Sequence, residues 1–216
     1  MIRPLRGANA LLTGGSQGLG PLMARQLAEA GINLALSARS ADKLEAVAQS
    51  LRDTGVRVVV VPADVTNGSD RVRLLAHTER VLGPIDILIN NAGLENNGRY
   101  QEKSPAEITQ LIDVNVTAPM LLTRAALPAM LERGRGHVVN LGSLAGKLGL
   151  PWGSVYGATK AAIIAWSNAL TTELAETGVS VSVITPGWVS DTGMFAVHKR
   201  RAHPVLGESK PQAVAK

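Results

Sequence analysis

Six short, almost continuously apolar segments alternate with five longer amphipathic segments along this 216-residue chain. The apolar segments cover residues 8–13, 32–38, 56–62, 85–90, 137–141 and 179–185. Their apolar character indicates strands that are covered on both faces, as in a parallel sheet. The amphipathic segments predict helices over residues 19–30, 41–54, 69–82, 105–132 and 155–177. Alternating strands and helices predict an α/β fold, a doubly wound parallel sheet (Rossmann fold) with right-handed crossovers, in one domain spanning 1–216.

A glycine-rich segment lies between the first predicted strand and the first predicted helix. It reads Thr13-Gly14-Gly15-Ser16-Gln17-Gly18-Leu19-Gly20. Glycine permits a tight turn there and a close approach of the backbone to a pyrophosphate, while the helix N-terminus adds N–H groups and partial positive charge. The spacing is G-x-x-x-G-x-G, so a simple glycine-rich turn is the alternative. We predict a dinucleotide phosphate site at Gly14, Ser16, Gln17, Gly18, Leu19 and Gly20.

The end of the second predicted strand bears on which dinucleotide would bind. The chain reads Ser37-Ala38-Arg39-Ser40 and has no carboxylate there to accept the ribose hydroxyls of NAD. Arg39 can bind a 2′-phosphate through charge-assisted hydrogen bonds. An ordinary solvated arginine is the alternative. The sequence predicts NADP(H) in preference to NAD(H).

Tyr156 and Lys160 stand four residues apart in a predicted helix and therefore share one face of it. A positive charge beside a tyrosine favours the phenolate, so such a pair can exchange a proton with an alcohol or carbonyl oxygen near neutral pH. The same spacing also fits a buried ring beside a solvated amine. The pair gains meaning from the dinucleotide turn in the same chain.

Taken together, these motifs resemble those of the short-chain dehydrogenase/reductase family over nearly the whole chain. The matching pieces, in order, are Thr13-Gly14-x-x-x-Gly18-x-Gly20, Asp64, Asn90-Asn91-Ala92-Gly93, Asn115, Ser143, Tyr156-x-x-x-Lys160 and Pro186-Gly187. Ser143 precedes Tyr156 by thirteen positions, which is part of the agreement. The resemblance is to the NADP(H)-preferring carbonyl reductases of that family.

The resemblance implies further cofactor contacts. Asp64 and Val65 would contact the adenine ring, and Asn91, Ala92 and Gly93 would line the ribose side. Independently of the resemblance, two amides ending an apolar strand suggest side chains that hold backbone groups, a plain turn being the alternative. Against the nicotinamide would lie Pro186, Gly187, Trp188 and Val189, with Thr192 one position later than the commonest spacing for a carboxamide contact.

The resemblance also implies a mechanism. NADPH would deliver a hydride to a carbonyl carbon while Tyr156 donates a proton to the developing alkoxide and Ser143 hydrogen-bonds the same oxygen. Lys160 would lower the Tyr156 pKa and hold the nicotinamide ribose hydroxyls. Asn115 would hold a water that connects Lys160 to solvent, with a purely structural water site as the alternative. No metal is expected.

The expected substrate side is apolar and short. Its candidate residues are Leu94, Leu144, Leu148, Trp152, Trp188, Met194 and Phe195. They favour a ketone or aldehyde with a lipophilic body, such as a 3-oxoacyl chain, although ordinary packing also explains them. We expect a short substrate lid over residues 190–210. Residues 209–216 resemble the opening of the late helix that precedes the family's last strand, so that strand is expected to be missing, and we favour a chain lacking its C-terminus over a protein that dispenses with the strand.

Composition limits the other function classes. Most of the net charge of +5 lies in residues 197–216, mainly in 198–203, so the remaining body is nearly neutral and a nucleic-acid partner is disfavoured. We favour a solvated loop for the basic segment over attraction of an anionic substrate or a membrane surface.

No apolar run approaches the roughly 18 residues of a membrane span, and no secretory segment precedes the glycine motif, so a cytoplasmic enzyme is expected. The resemblance implies a homodimer or homotetramer. Alcohol oxidation and a catalytically idle dinucleotide sensor are the competing functions.

Overall fold

All six predicted strands form one parallel sheet. The computed structural model describes residues 5–189 and 208–215. The strands are β1 Asn9–Thr13, β2 Asn33–Ser37, β3 Val58–Val60, β4 Ile87–Asn90, β5 Gly136–Leu141 and β6 Val179–Ile184. Their order in the sheet is β3-β2-β1-β4-β5-β6, with every neighbouring pair parallel. The chain therefore winds outward in both directions from β1 and β4, which confirms the doubly wound fold.

Seven helices are found in the described part of the chain. They are α1 Gly20–Glu29, α2 Ala41–Ser50, α3 Gly68–Leu82, α4 Pro105–Ile112, α5 Ala118–Glu132, α6 Ser154–Glu173 and α7 Pro211–Ala215. The helix predicted over 105–132 is interrupted by a π-helical turn, Asp113–Thr117, which separates α4 from α5. The late helix is present as α7. A parallel pair of two-residue strands, β7 Trp188–Val189 and β8 Glu208–Ser209, was not predicted.

The two faces of the sheet carry separate hydrophobic clusters, because successive residues of a strand point to opposite sides. Leu11 belongs to the cluster under α3, α5 and α6, whereas its neighbour Leu12 belongs to the cluster under α1 and α2. Both leucines are completely buried. Full burial of such a side chain contributes about 1.5–3 kcal/mol. This two-sided burial explains the continuous apolar runs of the sequence.

The segment Pro105–Glu132 is a core helix with unusual composition. Counted as one helix of 28 residues, it reaches a mean hydropathy of 1.2 in an 18-residue window, enough by length and composition to cross a membrane. The sequence prediction considered only uninterrupted apolar runs and therefore did not identify this segment as long and apolar enough for a membrane span. Leu122, Ala126 and Met130 of the same helix belong to the cluster beneath α5, which is how a core helix packs.

A capping box starts α4. Ser104 Oγ accepts a hydrogen bond from the Glu107 N–H at 3.3 Å, and the Ser104 N–H donates to Glu107 Oε2 at 2.8 Å. Asn96, which lies in the loop after β4, donates from Nδ2 to Glu107 Oε1 at 2.7 Å. The Ser104 N–H, then the Asn96 amide and the Ser104 hydroxyl, lower the pKa of Glu107 to about 2. The carboxylate therefore ties the start of α4 to a loop of the site described below.

Replacing Glu107 by glutamine should lower the free energy of unfolding in a pH-dependent manner. The pKa of this carboxyl falls from an ordinary 4.5 to about 2 on folding, so its ionised form stabilises the protein above pH 4.5 and loses that contribution as the pH falls towards 2. Denaturant titrations of wild type and Glu107→Gln from pH 7 to pH 2 should show a difference that shrinks on acidification. Glu45→Gln, at an exposed position of α2, is the charge-matched control. A difference that stays constant with pH would contradict the assignment.

Candidate functional site

A cavity of about 1410 Å³ runs along the carboxyl edge of the sheet, the usual ligand position in an open α/β fold. Every predicted site residue except Gly20 and Asn115 lines it. The lining residues among those predicted are Gly14, Ser16, Gln17, Gly18, Leu19, Arg39, Asp64, Val65, Asn91, Ala92, Gly93, Ser143, Tyr156, Lys160, Pro186, Gly187 and Val189. The fold therefore brings segments from the whole chain to one elongated site.

The glycine turn forms one wall of the cavity and depends on close backbone packing. Gly14 has a φ of 67°, in the left-handed region, and Gly15 N–H donates to Ser37 O at 3.0 Å, which ties the turn to β2. A Cβ on Gly20 would stand 2.2 Å from Gly14 O. Gly20 is thus the residue that lets α1 start directly against the turn, although its own surface does not reach the cavity. The Leu19 N-cap supplies no side-chain acceptor to the first turn of α1.

Asn91 and Thr13 join the ends of the two central strands. Asn91 Nδ2 donates to Thr13 O at 2.9 Å and to Gly14 O at 3.0 Å. Thr13 Oγ1 accepts from the N–H groups of Asn91 and Ala92, each at 3.1 Å. The amide side chain holds backbone groups, as the sequence suggested for this strand end. The glycine turn and the loop after β4 are consequently held at one seam.

The ends of β2 and β3 form the more basic end of the cavity. Arg39 and Lys43 both line it and both are exposed. Asp64 Oδ1 accepts hydrogen bonds from the Thr66 N–H at 2.9 Å and the Thr66 hydroxyl at 2.7 Å. These bonds, helped by the charge of Arg39, lower the pKa of Asp64 despite partial burial. The Asp64 carboxylate therefore accepts hydrogen bonds from its own loop. Arg39 and Lys43 are the two cations at this end that can bind a negatively charged group.

At the opposite end, a short 3₁₀ turn places Ser143 beside α6. The turn, Leu144–Gly146, packs so tightly that a Cβ on Gly146 would stand 2.6 Å from the backbone of Lys160. Leu144 N–H donates to Pro186 O at 2.9 Å, which brings the segment after β6 to the same place. Ser143 Oγ accepts from the Ala145 N–H at 3.1 Å and is hydrogen-bonded to Tyr156.

Tyr156 and Lys160 lie at this end, but their electrostatics differ from the expectation. Burial, reinforced by the charge of Glu95 and opposed by the Ser143 hydrogen bond, raises the pKa of Tyr156 to about 12. The expected lowering by Lys160 is wrong for this structure. Lys160 is only 5% exposed, its Nζ donates to Leu141 O at 2.7 Å, and it stands 5.7 Å from the centroid of the Tyr156 ring. Burial lowers the pKa of Lys160 to about 8.

Asn115 acts as a clamp between three elements. Its Oδ1 accepts from the Leu94 N–H at 2.8 Å, and its Nδ2 donates to Leu94 O at 2.8 Å and to Thr159 Oγ1 at 3.1 Å. Thr159 in turn donates to Tyr156 O at 2.7 Å. Because both amide hydrogens are used by protein groups, Asn115 cannot offer them to the expected water. This role of Asn115 as a clamp was not predicted. Its only signal in the sequence was an amide within a predicted helix.

The predicted substrate-facing residues divide into three groups. Leu94, Leu144 and Leu148 line the cavity. The prediction for Trp152 is wrong: this residue has a φ of 60° and is 59% exposed, so it lies at the surface instead of the lining. The backbone of Trp188 lies in β7, but nothing is described of its side chain. Thr192, Met194, Phe195 and the basic segment 198–203 lie outside the described residues, as does most of the predicted lid 190–210.

Several lining residues were missed by sequence reasoning. Among them are Ser40, Lys43, Thr66, Glu95, Asn97, Leu150 and Pro151. Lys43 and Thr66 could have been found from their positions shortly after the ends of β2 and β3. Glu95 had a clearer signal, because it is a carboxylate two positions beyond Gly93 in an otherwise apolar and amide-rich loop. Its role is considered further below.

Comparison of the sequence with known families and proteins gives a consistent result. A family model described as short chain dehydrogenase matches residues 8–202. The chain is 43% identical over 211 residues to the ketoacyl reductase HetN of Nostoc sp. strain PCC 7120, covering 98% of this chain and 74% of that protein. It is 38% identical over 189 residues to an uncharacterized oxidoreductase of Staphylococcus aureus strain N315, covering 88% and 80% of the two chains.

Solved structures show the same similarity. A crystal structure of an actinorhodin polyketide ketoreductase variant with NADPH superimposes with a TM-score of 0.89 at 30% identity, covering 100% of this chain and 89% of that one. A metagenomic short-chain oxidoreductase in complex with NADP gives a TM-score of 0.84 at 32% identity, covering 99% and 89%. The first is described as a complex with NADPH and the second as a complex with NADP.

Replacing Gly20 by alanine should destabilise the protein. Alanine would gain about 0.5–1 kcal/mol in helix preference, but overpacking costs about 1–3 kcal/mol, and a Cβ at 2.2 Å from a backbone oxygen cannot be relieved by a side-chain rotation. We expect a net loss in the free energy of unfolding by denaturant titration. Gly149→Ala is the matched control, because a Cβ there meets nothing within 4 Å. Equal stability of the two variants would contradict the packing of the turn.

Proposed function

This chain belongs to the short-chain dehydrogenase/reductase family and is an oxidoreductase that binds a nicotinamide dinucleotide, and we propose that it is an NADPH-dependent ketoreductase acting on a 3-oxoacyl type of substrate. In this proposal, Tyr156 is the proton donor and Ser143 the hydrogen-bond donor to the carbonyl oxygen. Lys160 supports Tyr156. Arg39 selects the 2′-phosphate of the cofactor.

The residues of the cavity fit such a dinucleotide. Its volume exceeds the roughly 300–1,000 Å³ typical of drug-sized ligands, which leaves room for a cofactor and a substrate together. The glycine turn and the uncapped first turn of α1 offer backbone donors to the pyrophosphate. Arg39 and Lys43 would hold the 2′-phosphate, Asn91, Ala92 and Gly93 the ribose side, and Pro186, Gly187 and Val189 the nicotinamide. When bound, NADPH supplies the hydride.

One observation carries the proposal. Ser143 and Tyr156 are hydrogen-bonded to each other at the end of the cavity opposite Arg39, with the Lys160 ammonium buried beside the Tyr156 ring. In the proposal, the hydroxyl and the phenol would both contact the carbonyl oxygen of the substrate. In the proposed complex, the Ser143 hydroxyl, which accepts from the Ala145 N–H, would donate its hydrogen to that oxygen.

Tyr156 is suited to donate a proton. With a pKa of about 12 it is a neutral phenol near neutral pH. Reduction needs this protonated form, which gives its proton to the oxygen as negative charge develops there. Alcohol oxidation by the same residues would start from the phenolate as base, and the direction of the net reaction follows the ratio of oxidised to reduced cofactor.

Lys160 is suited to restore that proton. After the transfer, the ammonium charge beside the ring stabilises the phenolate. Burial lowers the pKa of Lys160 to about 8, so this ammonium releases a proton more readily than an exposed lysine does. The hydrogen bond from Nζ to Leu141 O fixes the ammonium during this exchange.

The substrate class rests on the apolar lining and on the relatives. Leu94, Leu144, Leu148, Leu150 and Pro151 line the end of the cavity that holds Tyr156. Such a surface suits an acyl chain better than a polar body. The relative HetN is described as a ketoacyl reductase, and one similar structure is a polyketide ketoreductase. Both descriptions support a 3-oxoacyl substrate.

Replacing Tyr156 by phenylalanine should reduce kcat by about 10² to 10⁴, because the general acid is removed while the ring remains. NADPH oxidation with a panel of ketones and 3-oxoacyl thioesters measures the effect, and fluorescence titration measures NADPH binding. Tyr100→Phe is the matched control, since Tyr100 is 64% exposed and outside the cavity.

Two outcomes would contradict the proposal in different ways. Full activity of Tyr156→Phe would remove Tyr156 from the mechanism. NADPH binding without turnover of any compound by the wild type would favour a dinucleotide sensor over an enzyme acting on carbonyls.

Replacing Arg39 by aspartate should reverse the cofactor preference. Loss of hydrogen bonds to a charged phosphate costs about 1.5–3 kcal/mol, so kcat/KM for NADPH should fall by roughly 10- to 100-fold relative to NADH. Steady-state rates with both cofactors and one substrate measure the ratio. Arg52→Asp introduces the same charge change at an exposed position outside the cavity. An unchanged ratio in Arg39→Asp would assign the preference elsewhere.

A further inference from the structure

Glu95 is a carboxylate in the catalytic end of the cavity that the proposed mechanism does not use. It lies in the loop after β4, is half-buried, and lines the same cavity wall region as Ser143 and Tyr156. A carboxylate placed there costs desolvation energy unless it is paired or hydrogen-bonded. The surrounding contacts indicate that its position is fixed.

The residues on both sides of Glu95 are clamped. Leu94 is held through both its N–H and its C=O by the Asn115 amide, each bond being 2.8 Å long. Asn96 is held by Glu107 at 2.7 Å and by Lys103, whose Nζ donates to Asn96 Oδ1 at 3.2 Å. The backbone at Glu95 therefore has little freedom to carry its side chain elsewhere.

The side chain itself is also oriented. Asn97 donates from Nδ2 to Glu95 Oε1. The next residue, Gly98, donates its N–H to Trp152 O at 2.9 Å, which ties this loop to the segment leading into α6. Among the described residues, no hydrogen-bond donor is paired with Glu95 Oε2. One carboxylate oxygen is thus anchored, and the other remains for the cavity.

The charges around this end of the cavity favour an uncharged ligand. The described charged residues that line it are Glu95, Glu107, Asp113 and Lys160, with Lys103 just behind Asn96. Glu107 uses both oxygens in the capping box and the bond from Asn96. The Lys160 ammonium is turned to Leu141 O. Glu95, together with Asp113, is consequently a negative charge that a substrate at this end of the cavity meets.

The field of Glu95 reaches the reacting groups. Its negative charge contributes, after burial, to the raised pKa of Tyr156 and acts against the burial that lowers the pKa of Lys160. Any anionic group bound beside Tyr156 would experience the same charge, and like charges repel more strongly in a partly buried site than in bulk water.

We propose that Glu95 is a specificity-determining residue that rejects free 3-oxo acids and restricts the site to uncharged 3-oxoacyl derivatives such as esters and thioesters. This inference rests on the proposed function, because it concerns the substrate of the same site. Rejection of a close analogue by an unfavourable charge contact is a general means of specificity. Asn97 holds Oε1, while Glu95 as a whole lines the cavity.

The test compares ethyl 3-oxohexanoate with the 3-oxohexanoate anion in wild type, Glu95→Gln and Glu173→Gln. Glutamine keeps the shape and an oxygen for Asn97 but removes the charge, while Glu173→Gln makes the same change at an exposed position of α6. The ratio of kcat/KM for the anion to that for the ester should rise about tenfold or more in Glu95→Gln, the size expected for one close like-charge contact. It should stay unchanged in Glu173→Gln.

An unchanged ratio in Glu95→Gln, with the ester still reduced, would overturn the role of Glu95 and leave the proposed function intact. If neither compound is reduced, the proposed function fails, and the charge selection is judged by calorimetry with hexanoate and hexanamide on NADP⁺-loaded protein. Glu95→Gln should then strengthen hexanoate binding relative to hexanamide, and equal effects on the two ligands would overturn the inference. Thermal unfolding verifies that each variant is folded, with Glu95→Ala as the replacement should Glu95→Gln not fold.

Discussion

The seam between the ends of β1 and β4 is the constraint on which the site depends. Parallel strands leave their last backbone groups unpaired at the carboxyl edge, and here a ligand cavity keeps them away from neighbouring strands. Asn91 and Thr13 satisfy these groups across the seam with four hydrogen bonds. The glycine turn on one side and the loop carrying Glu95 on the other are therefore parts of one rigid junction.

A second junction, at Asn115, connects this frame to the helix that carries Tyr156. It connects the loop after β4 to α6 through Thr159, next to the backbone of Tyr156. The reacting groups are thus placed by backbone contacts, while their proton affinities are set by burial and by Glu95. Position and electrostatics come from different residues. If Glu95 selects the substrate as proposed, a change at this residue would alter the preference without moving Tyr156.

The sequence predicted what depends on local pattern and failed where long-range contacts decide. The six strands were found because two-sided burial leaves a continuous apolar run, and the glycine turn was found because Gly14, Gly18 and Gly20 leave a spacing. The π-helical turn was missed although residues 113–117 all have low helix propensity, because such a composition does not distinguish a π-helical turn from an α-helical one. Trp152 was predicted to line the pocket because it is hydrophobic. Its backbone lies in the left-handed region, and the side chain is at the surface. The Tyr156 pKa was predicted from a neighbour in sequence, while burial proved the larger influence.

The number of residues in the π-helical turn determines how the helices on its two sides are rotated relative to each other. It holds one residue more than an α-helical turn, and each residue of an α-helix advances by about 100° around the axis. The helical phase of α4 is thereby offset from that of α5, so each can follow its own packing surface. Removing one residue from 113–117 would let a regular helix form and rotate everything beyond it. A single-residue gap at this point of a sequence alignment would therefore signal a different internal architecture, even where the neighbouring residues are identical.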